Sequence, residues 1–535
     1  MIKPSSGGPW VFLWAVYLVA FAGLVSGFWL MGMRRLPPFR ESLAFLGALL
    51  GLSVFTAIGG VIGAVILGAI IALPFHHLSL MVREVIEWSL MFVISTLVPV
   101  VLVLQSADEH STRGTILLDG PPPRRAALAR WIRQSRSGRT HQIPTLTFAG
   151  WPVPWIDETK HFKVIGTTGT GKSTAIRELL SGALLRGDRA VIADPDGSYQ
   201  KRYYTLERGD QLLNPFQAQA ARWDLFGEIQ QLHDADQVAR SLIPDHPGPD
   251  QNWRNYARTF VTAVLRQLHR AGETDLAKLY WLLVMAPAGQ LRDLLAATPA
   301  GPFLGQDNGK FFESVRSVTT VHVAALEHLA RQQTGAPLSV RHWIREGKGA
   351  LFLPYRAGEL DALRHVISTW MRLTMFEVMN SEESSQRLWF VIDELDALGP
   401  IDGLKDALAR MRKFGGRCVL GVQSIAQVRG TYGDPEAQTI VENCGNTLIL
   451  RCSASERGGT AEFASRLIGK REILRRQVSR AVPTFLSHAH SSRTVTLQPV
   501  TEDATLPSEI EQLPDLSGYL KIASRPEWWK IRLGR

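Results

Sequence analysis

Eight consecutive residues, Gly166 to Ser173, have the types and spacing of a phosphate-binding loop. They read Gly-Thr-Thr-Gly-Thr-Gly-Lys-Ser, and the apolar residues Phe162, Val164 and Ile165 come just before them. Glycines let successive backbone N–H groups curl around phosphate oxygens, and the helix that follows points its positive end at the same place. Because the pattern lies between an expected strand and an expected helix, it predicts nucleotide binding.

The last residues of the loop predict how ATP and Mg²⁺ would be held. Lys172 would reach the β- and γ-phosphates, and Ser173 would give its hydroxyl to Mg²⁺. The nucleotide-binding residues that we expect are Gly166, Thr167, Thr168, Gly169, Thr170, Gly171, Lys172, Ser173 and Thr174. The alternative is a glycine-rich turn that happens to carry a lysine, and it leaves the rest of the pattern unexplained.

A second motif begins at Leu388, where apolar residues run to Ile392 and are followed by Asp393 and Glu394. An unbroken apolar run of this kind is typical of a strand buried inside a parallel sheet. We expect Asp393 to hold the Mg²⁺ shell, and Glu394 to polarise the water that attacks the γ-phosphate. Strands often end in such a pair, so this catalytic interpretation depends on the phosphate-binding loop.

An α/β domain is expected to position these motifs. Besides 162–165 and 388–392, strands are expected at 189–193, 349–354, 418–422 and 447–451, with helical stretches between them. This alternation is typical of a doubly wound parallel sheet. The nucleotide-binding domain is therefore expected in two parts, at 151–222 and 347–535.

The residues between these two parts, 223–346, predict an all-α domain. Helical periodicity dominates there, and it is clearest at 255–268, 276–284, 291–297 and 315–330. Trp223 and Trp253 flank the start of this segment. They are expected to anchor the core, and the alternative is that they stack on DNA bases.

The first 105 residues predict a transmembrane anchor, which a linker and the start of the nucleotide-binding domain follow at 106–150. Three apolar segments, at 10–31, 43–73 and 85–104, are long enough or nearly long enough to span a bilayer. The first is too long for the core of a cleaved signal peptide, so we expect it to be retained. For 43–73, one tilted helix and a re-entrant hairpin both remain open.

Basic residues predict the orientation of this anchor. Arg34, Arg35 and Arg40 follow the first segment, and seven arginines lie between Arg113 and Arg139. By the positive-inside rule, the loop at 34–41 and the large C-terminal part are expected in the cytoplasm.

The net charge of the chain and its cysteines distinguish possible functions less well than the two motifs do. The net charge of +10 suits an anionic partner, but arginines near a membrane would serve topology and lipid phosphate equally well. The only cysteines are Cys418, Cys444 and Cys452; their spacing is not that of metal ligands, and we expect reduced thiols.

Several segments together resemble a known family. The stretches Asp393–Pro400, Leu408–Gly416 and Gly421–Gln427 closely resemble those of type IV secretion coupling proteins of the TraD/TrwB kind, the inner-membrane ATPases of bacterial conjugation. The phosphate-binding loop, 194–197, 252–258 and 513–520 extend the likeness over nearly all of the chain after Gly150. An N-terminal membrane anchor agrees with it.

The resemblance implies a RecA-like motor domain that is interrupted by an all-α domain. It implies a homo-hexamer in the bacterial inner membrane, with the motor in the cytoplasm, ATP at subunit interfaces and a central channel. Such a protein is a DNA-stimulated ATPase and translocase, which takes single-stranded DNA from a relaxase in its relaxosome and delivers it to the type IV secretion channel.

The resemblance also implies roles for two further residues. Gln423 would sense the γ-phosphate and couple it to DNA, and Arg412 would be an arginine finger for a neighbouring subunit. Gln423 ends a strand beside Asp393, so its amide can reach a phosphate or the attacking water; the alternative is an amide that caps a turn. For Arg412, the alternative is a solvated basic helix face, and Arg410, Lys413 and Arg417 lie close by.

Other functions remain open at this point. A third apolar segment exceeds the two spans that the family leads us to expect, and no long C-terminal tail follows Trp529, so partner docking is expected to use the all-α domain. The cargo could be protein effectors instead of DNA. An FtsK-like translocase fits the helical insertion less well, and a nucleotide-gated receptor without turnover has no need for both Asp393 and Glu394.

Overall fold

The computed structural model describes residues 111–120, 145–245, 248–380, 382, 387–454, 459–481 and 492–534. The predicted membrane segments at 10–31, 43–73 and 85–104, and most of the linker, lie outside these residues. Within the described ranges, none of the helices is both long enough and apolar enough to cross a bilayer. The described residues fall into two compact units, one of 111–114 with 471–481 and 492–502, and one containing the rest.

The strands are numbered along the chain. They are β1 (Ser111–Gly114), β2 (Leu117–Asp119), β3 (Thr147–Phe148), β4 (Trp151–Pro152), β5 (Phe162–Ile165), β6 (Arg189–Pro195), β7 (Gln211–Leu212), β8 (Arg222–Trp223), β9 (Pro337–Leu338), β10 (Ala350–Tyr355), β11 (Leu388–Ile392), β12 (Gly416–Val422), β13 (Asn446–Ile449), β14 (Lys470–Ala481), β15 (Ser492–Asp503), β16 (Ser517–Lys521) and β17 (Trp528–Arg532).

The α-helices are numbered in the same way. They are α1 (Trp155–Glu158), α2 (Lys172–Leu185), α3 (Ser198–Tyr203), α4 (Leu232–Leu242), α5 (Gln251–Arg270), α6 (Leu276–Val284), α7 (Ala288–Leu295), α8 (Gly309–Val323), α9 (Ala325–Ala330), α10 (Val340–Glu346), α11 (Ala357–Asn380), α12 (Leu404–Arg410), α13 (Ile425–Tyr432), α14 (Asp434–Asn443), α15 (Gly459–Ile468) and α16 (Pro507–Glu511).

The smaller unit is a three-stranded sheet with the order β1-β14-β15. Strand β1 runs antiparallel to β14. Within this sheet, Arg471 donates hydrogen bonds to Glu502 at 2.8 and 3.0 Å.

The larger unit is built on a ten-stranded sheet with the order β2-β17-β16-β13-β5-β12-β11-β6-β10-β7. The strands from β13 to β7 in this order are parallel to one another, which confirms the predicted α/β class. Strand β16 is antiparallel to β13 and to β17, so the predicted parallel sheet is mixed at this edge. Only a few residues separate β16 from β17, and a link of that length joins antiparallel neighbours.

Successive side chains of the central strands point to opposite faces of the sheet, so the core is divided between these two faces. Leu388, Phe390 and Ile392 face one apolar cluster, and Trp389 and Val391 face the other. A strand buried on both faces must be apolar at every position, which explains the unbroken run in the sequence. The helix after the phosphate-binding loop, α2, covers one face, and α11 covers the other.

Helices dominate between Leu232 and Glu346. The expected helix at 276–284 has those bounds, whereas the expected helix at 315–330 is divided at Ala324 into α8 and α9. Helix α8 contacts α5 and α6, and α9 contacts α6, so both halves pack against α6.

The two ends of this helical segment are held together. Strand β8 pairs with β9, and the buried carboxylate of Glu228 accepts hydrogen bonds from Trp223 Nε1, Ser339 Oγ and the backbone N–H groups of Val340 and Arg341, at 2.7 to 3.0 Å. A carboxylate at the start of α10 satisfies N–H groups that have no partner within the helix. Entry and exit of the segment therefore lie side by side.

Trp223 is a core residue, because it is 1% exposed and its ring meets the ring of Trp370 edge-on at 5.8 Å.

We expect Trp370→Ala to destabilise the fold by about 3–5 kcal/mol, since it removes a large side chain and leaves a cavity. Trp281→Ala is the control, because Trp281 is 38% exposed. Thermal unfolding should show a clearly lower midpoint for Trp370→Ala alone; equal midpoints for both variants would contradict this account.

Candidate functional site

The loop between β5 and α2 lies at the carboxyl edge of the parallel strands. Gly169 and Gly171 have φ values of +78° and +114°, in the left-handed region that side chains disfavour. A Cβ at Gly166 would lie 2.8 Å from Leu450 Cβ, so this glycine is required for close approach to the end of β13. Helix α2 begins at Lys172, and the first N–H groups of a helix, which have no partner within it, point toward the loop at its N-terminus, where they can bind an anion.

Lys172 is buried beneath this loop. Its ammonium group donates to Thr167 O at 3.2 Å, and Thr170 Oγ1 donates to the same oxygen at 2.7 Å. Burial lowers the pKa of Lys172, and the nearby carboxylates of Asp393, Glu394 and Asp396 oppose this shift. A cation held among carboxylates suits a site that receives phosphate oxygens.

Asp393 follows β11 and meets the start of α2. Its Oδ2 accepts hydrogen bonds from Ser173 Oγ at 2.7 Å and from Tyr199 OH at 2.8 Å. Its Oδ1 is buried and has no hydrogen-bond partner among the described residues. A serine hydroxyl beside a carboxylate with an unused oxygen is the protein share of a Mg²⁺ site in which phosphates and water supply the remaining ligands, so these residues fit the predicted ion.

Glu394 and Gln423 meet beside the loop. Gln423 Nε2 donates to Glu394 Oε1 at 3.1 Å, and Thr168 Oγ1 donates to Gln423 Oε1 at 3.4 Å. Burial raises the pKa of Glu394, and Asp393 and Asp396 raise it further against the opposing charge of Lys172. A carboxylate with a raised pKa, held by an amide, is suited to accept a proton from water.

Gly421 makes this juxtaposition possible. A Cβ at this position of β12 would collide with the carbonyl oxygen of Asp393. The absence of a side chain lets β12 bring Gln423 close to the segment that follows β11.

Sequence reasoning missed two residues of the site. Tyr199 lies just after the segment 194–197, where Asp194 accepts hydrogen bonds from the N–H groups of Tyr199 and Gln200 and so fixes the start of α3. Burial raises the pKa of Asp194 to about 6, against the opposing effect of these hydrogen bonds. Asp396, the second missed residue, has a buried Oδ1 without a partner in the described ranges. Both residues lie near recognised motifs, but the sequence does not show which residues of other segments surround them.

Arg412 is not brought to this site within one chain. It lies in a 3₁₀ turn, Met411–Phe414, just before the amino end of β12, whereas Lys172 follows the carboxyl end of the parallel neighbour β5. Arg412 lines a cavity of about 280 Å³ together with Lys160, His161 and Glu442. The cavity therefore opens at the opposite edge of the sheet.

The other basic residues near Arg412 differ in exposure. Arg410 and Lys413 are exposed, like Arg412. Arg417 is 6% exposed and donates to Glu158 at 3.0 Å, which removes it from the surface residues that could reach a neighbour. Cys418, Cys444 and Cys452 are buried free thiols.

The sequence of this chain matches a known protein family. The family model described as "Type IV secretion-system coupling protein DNA-binding domain" matches residues 145–534. Coupling protein TraD of Escherichia coli (strain K12) is 30% identical over 427 residues, which cover 78% of this chain and 57% of TraD. The chain thus spans little more than half of TraD's length.

Solved structures agree with the sequence matches. The unbound bacterial conjugative coupling protein TrwBdeltaN70 superposes with a TM-score of 0.69 at 30% identity, over 80% of this chain and 94% of the chain in that structure. A structure of the plasmid coupling protein TrwB in complex with ADP and Mg²⁺ superposes with a TM-score of 0.68 at 29% identity, with the same coverage.

The contact between Tyr199 and Asp393 predicts a role for the tyrosine in holding the metal site. Tyr199→Phe should weaken Mg²⁺-dependent binding of a fluorescent ATP analogue about 10-fold, because groups that orient a metal ligand typically contribute this much. Tyr203→Phe is the matched control, since its hydroxyl contacts Ser181 and the Arg177 carbonyl. Equal Mg²⁺ dependence in both variants would show that Tyr199 does not orient Asp393.

Proposed function

The chain belongs to the type IV secretion-system coupling protein family, and from this premise we propose that it is an ATP-driven motor that links a relaxase-bound DNA strand to a secretion channel and pumps that strand during conjugation. The observation that carries the proposal is the meeting of Ser173, Asp393, Glu394 and Gln423 around the phosphate-binding loop. On this proposal the protein is a homo-hexamer anchored in the inner membrane, and its motor faces the cytoplasm.

ATP and Mg²⁺ are the proposed cofactors. The structures of TrwB with ADP and Mg²⁺ and with the ATP analogue ADPNP support this assignment. The backbone of residues 166–174 and Lys172 would hold the phosphates, and Ser173 and Asp393 would hold the metal. Bound Mg²⁺ neutralises phosphate charge as the leaving group departs.

Glu394 and Gln423 are the proposed catalytic pair. Glu394 accepts a proton from the attacking water, and its raised pKa makes it a stronger base than an ordinary carboxylate. The amide of Gln423 fixes one carboxylate oxygen and leaves the other for water. Through Thr168 the same amide is connected to the loop that surrounds the γ-phosphate, which supports a sensing role.

The neutrality of the Gln423 amide is essential on this proposal. Gln423→Glu should reduce ATP hydrolysis at least about 100-fold while it leaves ATP binding nearly unchanged, because two carboxylates at hydrogen-bond distance cannot both ionise. Gln427→Glu is the control, since Gln427 is exposed on α13. Steady-state hydrolysis and equilibrium binding measured on the same preparations test this; hydrolysis retained in Gln423→Glu would exclude the proposed pair.

Arg412 is proposed to complete the active site of a neighbouring subunit. Its position at the amino edge of the sheet supports action between chains, because Lys172 lies at the carboxyl edge. A finger that acts in this way makes hydrolysis depend on assembly.

Hydrolysis by the full-length protein, measured with and without single-stranded DNA across protein concentrations, tests the motor and the shared site together. Lys172→Ala and Arg412→Ala should each be inactive. Mixing them should restore activity, because an Arg412→Ala subunit keeps an intact phosphate-binding loop and receives Arg412 from a Lys172→Ala neighbour.

Two results would overturn parts of this proposal. Full activity of Arg412→Ala alone would exclude the shared site. Wild-type activity that is indifferent to DNA, together with unimpaired conjugative transfer by Lys172→Ala cells, would exclude the DNA motor and favour protein cargo.

A further inference from the structure

A group of basic side chains meets where three helices cross, apart from the phosphate-binding loop. We call it the basic cluster: Arg254 and Arg258 on α5, His322 on α8, and Arg364 and His365 on α11. The rings of His322 and His365 contact each other with centroids 4.7 Å apart. The proposed function uses none of these residues.

Several donors of the basic cluster are buried without acceptors. Arg258 Nη2, His322 Nδ1 and Arg364 Nε have no hydrogen-bond partner in the described part of the chain. His322 is 5% exposed, so solvent does not readily replace a partner there. Buried polar nitrogens nearly always have a partner in folded proteins, and several in one place indicate a site for an acceptor.

At least one other nitrogen of each arginine is held in a fixed position. Arg258 Nε donates to Ile243 O at 2.6 Å, Arg258 Nη1 pairs with Asp245 at 2.6 Å, and Arg254 Nη1 donates to Pro244 O at 3.1 Å. Arg364 Nη2 donates to Asp361 at 3.0 Å. These contacts orient the guanidinium planes before any ligand arrives, which lowers the entropic cost of binding.

Positive charge exceeds negative charge at the basic cluster. Asp245 is shared with Arg240, and the side chain of Asp361 is 95% exposed, so neither fully neutralises the arginine that it contacts. Burial lowers the pKa of His322 to about 3, and His365, Arg254 and Arg258 lower it further. Burial, followed by Arg364 and Arg254, lowers the pKa of His365 to about 4. Both rings are therefore neutral near pH 7, and each can donate one N–H.

We propose that the basic cluster binds a phosphate group. A phosphate has several acceptor oxygens, and paired guanidinium groups match its geometry and charge. The Arg364 side chain is 41% exposed, which leaves one side of the cluster open to solvent. On the proposed function, and resting on it, the phosphate belongs to the backbone of the transported single strand; the same chemistry would accept a free phosphate.

The place of the cluster in the fold connects it to the catalytic segment. Arg364 Cδ would lie 3.3 Å from a Cβ built at Gly399, which follows Glu394 closely in the chain. A phosphate bound at Arg364 therefore lies against the segment that carries the proposed base.

The first test is binding of a fluorescein-labelled poly-dT oligonucleotide to the full-length protein at increasing salt. Arg364→Gln should weaken binding several-fold and reduce the slope of log K against log salt by about 0.7, the value for one phosphate contact to a single strand. Arg364→Lys keeps the charge and should lose less. Arg331→Gln is the matched control, because Arg331 is 73% exposed and lies at the end of α9, outside the basic cluster.

The second test separates free phosphate from DNA. In a Lys172→Ala background, which disables the phosphate-binding loop, inorganic phosphate should raise the thermal unfolding midpoint. Adding Arg364→Gln should abolish that rise, while Arg331→Gln should not.

The DNA-binding and phosphate results together decide whether the basic cluster binds phosphate and where that phosphate comes from. DNA binding that is unaffected by Arg364→Gln, with the phosphate effect lost, supports the phosphate site and excludes the strand as its source. A wild-type protein that does not bind DNA at all overturns the proposed function, and the phosphate arm still decides the cluster. If neither DNA binding nor the phosphate-induced midpoint changes in Arg364→Gln, the proposal is wrong.

Discussion

One buried carboxylate, Asp393, holds the candidate site together. It accepts hydrogen bonds from Ser173 at the start of α2 and from Tyr199 on α3, so a single side chain joins segments that follow β5, β6 and β11. An ionised carboxylate is costly to bury without donors, and these two hydroxyl groups offset that cost. Its position is set by the register of β11 between β6 and β12, and by the close approach that Gly421 permits.

Much of this arrangement could be predicted from the sequence, because local rules determine it. The loop at 166–173 needs glycines at fixed positions, and Gly169 and Gly171 indeed adopt positive φ. The run 388–392 is apolar throughout because both faces of the sheet cover it, and its strand bounds were predicted correctly. The alternation of strands and helices then predicts that the ends of β5, β11 and β12 lie at one edge.

The features that could not be predicted from the sequence depend on contacts between distant segments. Tyr199 resembles any aromatic residue in a short helix until β6 and β11 are placed side by side. Arg412 and Arg417 lie in the same basic stretch, and the sequence does not distinguish their roles. Arg417 pairs with Glu158 and is buried, whereas Arg412 is exposed. The antiparallel edge formed by β16 and β17 was missed because its strands are short and carry polar residues, which gives no strong apolar run.

The two edges of the sheet constrain how the proposed motor would work. The proposed finger and the phosphate-binding loop lie at opposite ends of parallel strands, so one chain cannot apply both to the same nucleotide. A contact that joins the amino edge of one chain to the carboxyl edge of the next uses two different surfaces, and such head-to-tail contacts close into rings when the rotation between subunits allows it. In a ring of this kind, every nucleotide lies between two chains. On the proposed function, hydrolysis would then change an interface between chains, and this change would move the bound strand.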